Sequence, residues 1–252
     1  MRMKIVEFVE DMKERAVKGL LEVSGGAEYT KEITPFKNHQ AEVRTIRGGA
    51  FEKAAITHLT FKGLKPPIGD KPVDYMVYQM EIFPGNPYCP MGHFNTEWSL
   101  EGPGPYHMNL DLFPAVRVEE DLEKMKKLMD GVADLFSRDR VKMREGLDEH
   151  YGMEHWDFPL ATKVGCKLLN LRDAEIDLFI KAYHTFFEGY LDIIARRKNT
   201  PATEADRKLK LRRNSKWLEY ITIKDKAVRL GLDAGIPPQV LIALSFPPSA
   251  EF

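Results

Sequence analysis

Cysteine is scarce in this chain: Cys89 and Cys166 are the only two among 252 residues. They lie far apart and form no CxxC pair, which argues against a zinc ribbon, a thioredoxin-type motif or a disulfide framework. Each reads as a small buried hydrophobe. Net charge is also nearly absent, with 37 basic against 38 acidic residues and a formal charge of −1. Nucleic acid is therefore not expected as a partner, because phosphate binding needs a concentrated basic surface. No apolar run approaches the ~20 residues that cross a bilayer. Met1-Arg2-Met3-Lys4 leads into mixed charges rather than a signal-like apolar core. A cytoplasmic protein with no membrane span is the expectation. Gly48-Gly49 and Gly102-Pro103-Gly104 lack the strand–turn–helix setting of a nucleotide-binding loop. With no repeats and no low-complexity linker, residues 1–252 are expected to form one domain.

What the chain does have is alternation. Residues 93–100 and 106–113 both alternate with period two, and Glu101-Gly102-Pro103-Gly104-Pro105 between them is a turn by composition. Successive side chains of a strand point to opposite faces. One face of this predicted hairpin carries His93, Asn95, Glu97, Ser99, His107, Asn109 and Asp111; the other carries Phe94, Trp98, Leu100, Tyr106, Met108, Leu110 and Leu112. Pairing Leu100 with Tyr106 would set Asn95 opposite Asp111 and Glu97 opposite Asn109. The polar face collects histidines, asparagines and acids but no lysine or arginine, which favours a lined pocket over a solvated face.

The rest of the chain supplies layers for such a sheet. A helix is predicted over 3–23, ended by Ser24-Gly25-Gly26, and 29–49 reads as an edge strand or loop. Strands are predicted over 51–61 and 74–83, separated by a turn at 64–70, with Met76, Tyr78, Met80 and Ile82 on one face of the second. Acids open a helix from Glu119 to Phe136, another is expected within 139–150, and 151–170 has no readable period. A long helix runs from Asp173 to Arg197, followed by a short basic helix at 203–213. Trp217–Ile223 reads as a strand continued by Val228–Leu232, and Pro237-Pro238 open a last helix through Leu244. Short turns between strands favour antiparallel pairing. The expected class is α+β, a large and mostly antiparallel sheet sandwiched between helices.

Several segments resemble a known family. They are Val43–Gly63 around Gly48-Gly49-Ala50-Phe51-Glu52-Lys53-Ala54, and Asn86-Pro87-Tyr88-Cys89-Pro90-Met91-Gly92-His93-Phe94-Asn95. Asp111-Leu112-Phe113-Pro114 with Glu119-Glu120-Asp121 follows, then Ala195–Pro201, Lys216–Leu232 and Leu241–Pro248. In this order they resemble the oxygen-dependent coproporphyrinogen III oxidases. The resemblance implies a homodimer built on a large antiparallel sheet. It also implies oxidative decarboxylation of two propionates of a cyclic tetrapyrrole to vinyl groups, with dioxygen as co-substrate and no metal or organic cofactor. By position, Asp111 matches the aspartate that engages pyrrole nitrogens, His93 and Asn95 match pocket residues, and Lys216 matches an arginine that holds substrate carboxylates. The chain departs from the pattern at Glu97, where the family has arginine, and at Lys124-Met125-Lys126, where it has His-Phe-His. Altered anion-binding positions on a retained scaffold point to another tetrapyrrole or another reaction.

The residue chemistry suits a broad apolar disc with a polar centre. Asp111 offers acceptor lone pairs to pyrrole N–H groups, and His93 and His107 are placed to donate or relay protons. Asn95, Glu97 and Asn109 would floor the pocket, with Trp98 as an aromatic wall. The basic run Lys208, Lys210, Arg212, Arg213 and Lys216 could hold propionates, chiefly through Arg213 and Lys216, or dock an acidic electron carrier. That second role keeps open a bilin reductase using ferredoxin electrons, a family that also resembles this chain in length and layering. A non-catalytic tetrapyrrole binder is the third alternative. Cys89-Pro90-Met91 beside His93 completes no metal or haem site. Asp111→Asn, nearly isosteric, is expected to abolish turnover while leaving the fold intact.

Overall fold

A computed structural model describes residues 2–64, 72–100 and 105–251. The turns expected at 64–70 and 101–105 lie almost wholly outside the described residues. Seven strands run antiparallel in chain order: β1 (Glu28–Phe36), β2 (His39–Gly48), β3 (Phe51–Leu64), β4 (Val73–Pro84), β5 (Met91–Ser99), β6 (Tyr106–Phe113) and β7 (Cys166–Leu171). Helices cover both faces, so the architecture is the expected α+β sandwich. The stretch 29–49 is a complete hairpin rather than one edge strand or loop, and β1 forms an exposed edge of the sheet.

On the first face lie α1 (Arg2–Ser24), α2 (Glu119–Leu135) and α4 (Ile176–Arg197). The apolar residues of the alternating strands point here: Met76, Tyr78, Met80 and Ile82 of β4, Phe94 and Trp98 of β5, and Met108, Leu110 and Leu112 of β6. They meet Ile5, Phe8, Met12 and Leu20 of α1 and a ladder of rings on α4, with Phe94 within 5.1 to 6.0 Å of Phe186, Tyr183, Tyr190 and Phe187. Each such side chain contributes about 2 kcal/mol on burial, so this layer is the main source of stability. The acids that open α2 meet the bases that close α4. Arg196 and Arg197 donate to buried Asp121 at 2.5 and 2.8 Å, which holds its carboxyl below the usual range despite burial.

The second face carries α3 (Leu147–His150), α5 (Glu204–Glu219), a π-helical turn at Tyr220–Lys224, α6 (Lys226–Ala234) and α7 (Pro238–Ser245). Here two expectations fail. Trp217–Ile223 and Val228–Leu232 are helical, not strands. The buried residues Lys210, Arg213, Asn214, Trp217, Tyr220 and Ile221 follow an i, i+3, i+4, i+7 spacing. Half of that inner face is polar, so the helical period is invisible to hydrophobicity. The helix expected within 139–150 is reduced to a short turn at Lys142–Arg144 and the single turn of α3.

The hairpin register also differs from expectation. Trp98 pairs with Tyr106, which sets Glu97 against His107, Asn95 against Asn109 and His93 against Asp111. The slip is two residues, so every side chain keeps its face.

Candidate active site

The second face of the sheet has apolar ends and a polar middle. At one end Phe83, Met91, Phe113, Tyr151 and Trp217 pack together; at the other, Val43, Leu59 and Phe61 pack under Ile236, Val240 and Leu241. Between them the register lines polar residues into rows: Glu81–His93–Asp111, then Thr57–Gln79–Asn95–Asn109, then Val77–Glu97–His107. Paired residues of antiparallel strands share a face, so these rows form one surface.

Above the second and third rows, β3–β5 and α6–α7 border a narrow cleft with a volume of about 60 Å³. Its walls are apolar, from Leu59, Phe61, Val77, Val228, Ile236 and Leu241, and its polar lining is Tyr75, Gln79, Glu97, Asp225 and Ser245. Among the described residues, no lysine, arginine or histidine lines it. Glu97 accepts from the Tyr75 hydroxyl at 2.6 Å and from Asn95 Nδ2 at 2.7 Å. This pairing gives each of its carboxylate oxygens a donor. Asp225 caps α6, accepting from the Ala227 N–H at 2.7 Å. Burial, with the neighbouring Glu97 charge adding to it, raises Asp225 to about 6.

Glu81 lies behind the cleft lining. It accepts from Ser245 Oγ at 3.1 Å and from Gln79, and its Oε2 has no partner among the described residues. Burial raises its pKa to about 8, against the opposing pull of Lys53. Lys53 is itself buried, which lowers it to about 8, and it donates to the carbonyls of Ile242, Leu244 and Phe246 at the end of α7. His93 Nδ1 stands 4.0 Å from Glu81 Oε1, and its ring lies among Phe113, Tyr151 and Trp217. Burial lowers His93 to about 3, so the imidazole is neutral at physiological pH.

The structure brings His93, Asn95, Glu97, His107, Asn109 and Asp111 onto one face, as the alternation predicts. It does not put them all in the cleft. Asp111 is fully buried and accepts five hydrogen bonds, from the Thr162 hydroxyl and the N–H groups of Thr162, Lys163, Val164 and Gly165, at 2.9 to 3.3 Å. Burial pushes its pKa up while these donors pull it down. Its carboxylate fastens the 162–165 loop to β6. His107 accepts from the Asn170 N–H at 3.2 Å at the half-buried end of its row. Asn109 is buried with an unpartnered Oδ1, as is Oδ1 of half-buried Asn95.

Three expected substrate contacts sit elsewhere. Trp98 points through the other face of the sheet, into the α1 layer beside His58, so it cannot wall the cleft. Arg213 is buried and donates to the Phe113 carbonyl at 2.5 Å and to Asn214 Oδ1 at 2.9 Å. Lys216 lies over the rings of Phe158 and Trp156, at 4.1 and 5.1 Å. The expected basic patch is likewise divided, since Lys210 is buried against Glu52 and the Gly85 carbonyl. Sequence reasoning missed Glu81, Gln79 and Tyr75, although their signal was present: they occupy the face of β4 opposite Met76, Tyr78 and Met80. It also missed Asp225, which lies between the two expected strands at 217–223 and 228–232, and Ser245, one residue beyond the expected last helix.

Beyond this geometry, the chain matches the coproporphyrinogen III oxidase family model over residues 4–252. The chain belongs to that family. Membership in the coproporphyrinogen III oxidase family makes it a relative of tetrapyrrole oxidoreductases, and a tetrapyrrole substrate fits. The family match spans both the sheet that floors the cleft and the helices that roof it. Among the described residues no helix is long and apolar enough to cross a membrane. Among them, too, no group of three or more His, Cys, Asp or Glu could hold a metal ion. Cys89 and Cys166 are buried, and burial pushes both thiols up to about 12, which leaves them as packing groups.

Proposed function

We propose that this chain is an oxygen-dependent tetrapyrrole oxidoreductase that oxidatively decarboxylates propionate side chains at the cleft between the sheet and α6–α7. The observation that carries this reading is the family match across residues 4–252, which includes every element bordering the cleft. Each turnover would convert one ring–CH2–CH2–CO2H group and O2 into ring–CH=CH2, CO2 and H2O2. The bond to the carboxyl carbon breaks, a hydride equivalent leaves the methylene next to the ring, and dioxygen takes up the two electrons and two protons. Apolar walls suit a pyrrole ring with its side chain, and Glu97 on the lining supplies an acceptor for ring N–H groups. Glu81, raised to about 8, carries a proton at neutral pH and stands beside neutral His93; together they can hold or move one proton near the substrate. Asp111, engaged by five donors, acts in this reading by fastening the 162–165 loop to β6.

A non-catalytic tetrapyrrole binder is the second reading, and the engaged state of Asp111 is the observation that favours it. One experiment separates these readings. Purified protein is incubated with coproporphyrinogen III or biliverdin, with and without dioxygen or reduced ferredoxin, and products are followed by absorbance and mass. Dioxygen-dependent loss of CO2 and two hydrogens per propionate is the expected result. Electron-pair addition to biliverdin would make the chain a bilin reductase instead, and binding without turnover would make it a carrier.

A further inference from the structure

The backbone around Ser245 is pinned at three consecutive carbonyls. Lys53 Nζ donates to those of Leu244, at 3.3 Å, and Phe246, and Trp217 Nε1 donates to that of Ser245 itself at 2.8 Å. So held, the Ser245 side chain lies on the cleft lining, and its hydroxyl donates to Glu81 Oε1 at 3.1 Å. Gln79, also on the lining, donates to the same oxygen. Glu81 is buried behind them, and its Oε2 has no partner among the described residues. The two links from this carboxyl to the cleft are not equivalent. A hydroxyl can accept one proton while giving up another, whereas the Gln79 amide N–H only donates.

The proposed reaction has a proton to place. A propionate is ionised at neutral pH, so decarboxylation starts from ring–CH2–CH2–CO2⁻. A hydride equivalent leaves the methylene next to the ring and reduces O2 to HOO⁻. The bond to the carboxyl carbon breaks, its electron pair forms the C=C bond, and CO2 departs. Charge is conserved in these steps, and HOO⁻ needs one proton to leave as H2O2. We infer that Glu81 supplies this proton through Ser245: the carboxyl passes its proton to Ser245 Oγ, and the serine hydroxyl gives its own to HOO⁻ in the cleft. Water entering the emptied cleft restores the proton along the same path. The inference rests on the proposed function and deepens it, with Ser245 as the relay and Glu81 acting behind it.

The titratable groups around Glu81 are Lys53 on β3, His93 on β5, Asp225 at the start of α6, and the Tyr151 and Tyr220 hydroxyls. Lys53 favours the charged carboxylate, but burial, with Asp225 adding to it, prevails and keeps the proton on Glu81 up to about pH 8.

The test compares the full-length protein with Ser245→Ala, Ser245→Thr and Glu81→Gln. The first readout is infrared absorption. A protonated Glu81 gives a carboxyl C=O band that is sensitive to D2O and missing from Glu81→Gln. The band is expected to move in Ser245→Ala, which loses one hydrogen bond to Oε1, and to return in Ser245→Thr. The second readout is aerobic turnover of coproporphyrinogen III with peroxide measured. Ser245→Ala is expected to lower kcat at least about tenfold at unchanged KM, and threonine to restore it. The parent kcat is expected to fall above about pH 8, and this fall to be absent from Glu81→Gln. Parent-like kcat in Ser245→Ala, or an alkaline fall that survives in Glu81→Gln, would overturn the relay. Glu81→Gln, nearly isosteric, carries the test alone if Ser245→Ala misfolds. An infrared band that answers to Ser245 without any consumption of coproporphyrinogen III would sink the functional reading and leave the Glu81–Ser245 proton pair standing. Turnover that ignores both residues would sink the relay alone.

Discussion

His93 stands 5.2 to 5.9 Å from three aromatic rings, those of Tyr151, Trp217 and Phe113, and its Nδ1 has no partner among the described residues. Its pKa is lowered to about 3, chiefly by burial with His150 adding, while the unfolded chain holds the ordinary value of 6.5. Between these values the unfolded state binds a proton that the folded state refuses. This imidazole therefore subtracts stability as pH falls from 6.5 towards 3, at about 1.4 kcal/mol per pH unit. Phenylalanine fits the same ring box and does not titrate. In urea melts between pH 4.5 and 6, His93→Phe is expected to flatten the pH slope by about that amount. An unchanged slope would mean that His93 is protonated in the fold. Glu81 acts with the opposite sign: its raised pKa lets the folded state keep a proton that the unfolded chain releases, so its contribution declines as pH rises towards about 8.

Among the elements, the contact between β6 and the 162–165 loop depends on one carboxylate. Five donors converge on Asp111, and the loop passes so close to β6 that a Cβ at Gly165 would lie 1.8 Å from the Leu110 carbonyl oxygen. Asp111→Asn sets an amide NH2 against N–H groups and removes the charge they face. Contrary to the expectation that the fold tolerates this change, a loss of about 3 kcal/mol is expected by chemical denaturation. A change below about 1 kcal/mol would mean that the clasp is dispensable. Loss of activity in this variant therefore needs to be read beside its stability.

The same scale sets what was legible in the sequence. The central strands could be read because β4, β5 and β6 each keep one face apolar under α1 and α4. Even a two-residue error in the hairpin register left His93 and Asp111 on the same side. The roof could not be read. The inner face of α5 carries Lys210, Arg213 and Asn214 beside Trp217, so its 3.6-residue period is written in burial rather than in hydrophobicity. The site suffered from the same asymmetry. Its floor followed from strand alternation, but Asp225 and Ser245 join it through α6 and α7, elements far away in sequence. Nothing local to Asp111 could foretell that residues 162–165 would engage it.

For the whole molecule, the proposed homodimer rests on the family alone. Light scattering at several concentrations is expected to give twice the 28.9 kDa of one chain. A single-chain mass throughout would refute the proposal.

The chain order of the sheet has a temporal consequence. Strands β1 to β6 are neighbours both in sequence and in space, so each can pair with its predecessor as it leaves the ribosome. The cleft is different, because its floor comes from β3–β5 and its roof from helices that follow more than 120 residues later. Lys53 on β3 reaches carbonyls as far as 193 residues away, at the end of α7. A nascent chain stalled before Asp225 would already hold Glu97 on its sheet and still have no cleft around it. The capacity to hold a ligand thus waits on α6 and α7, which follow every strand of the sheet in chain order.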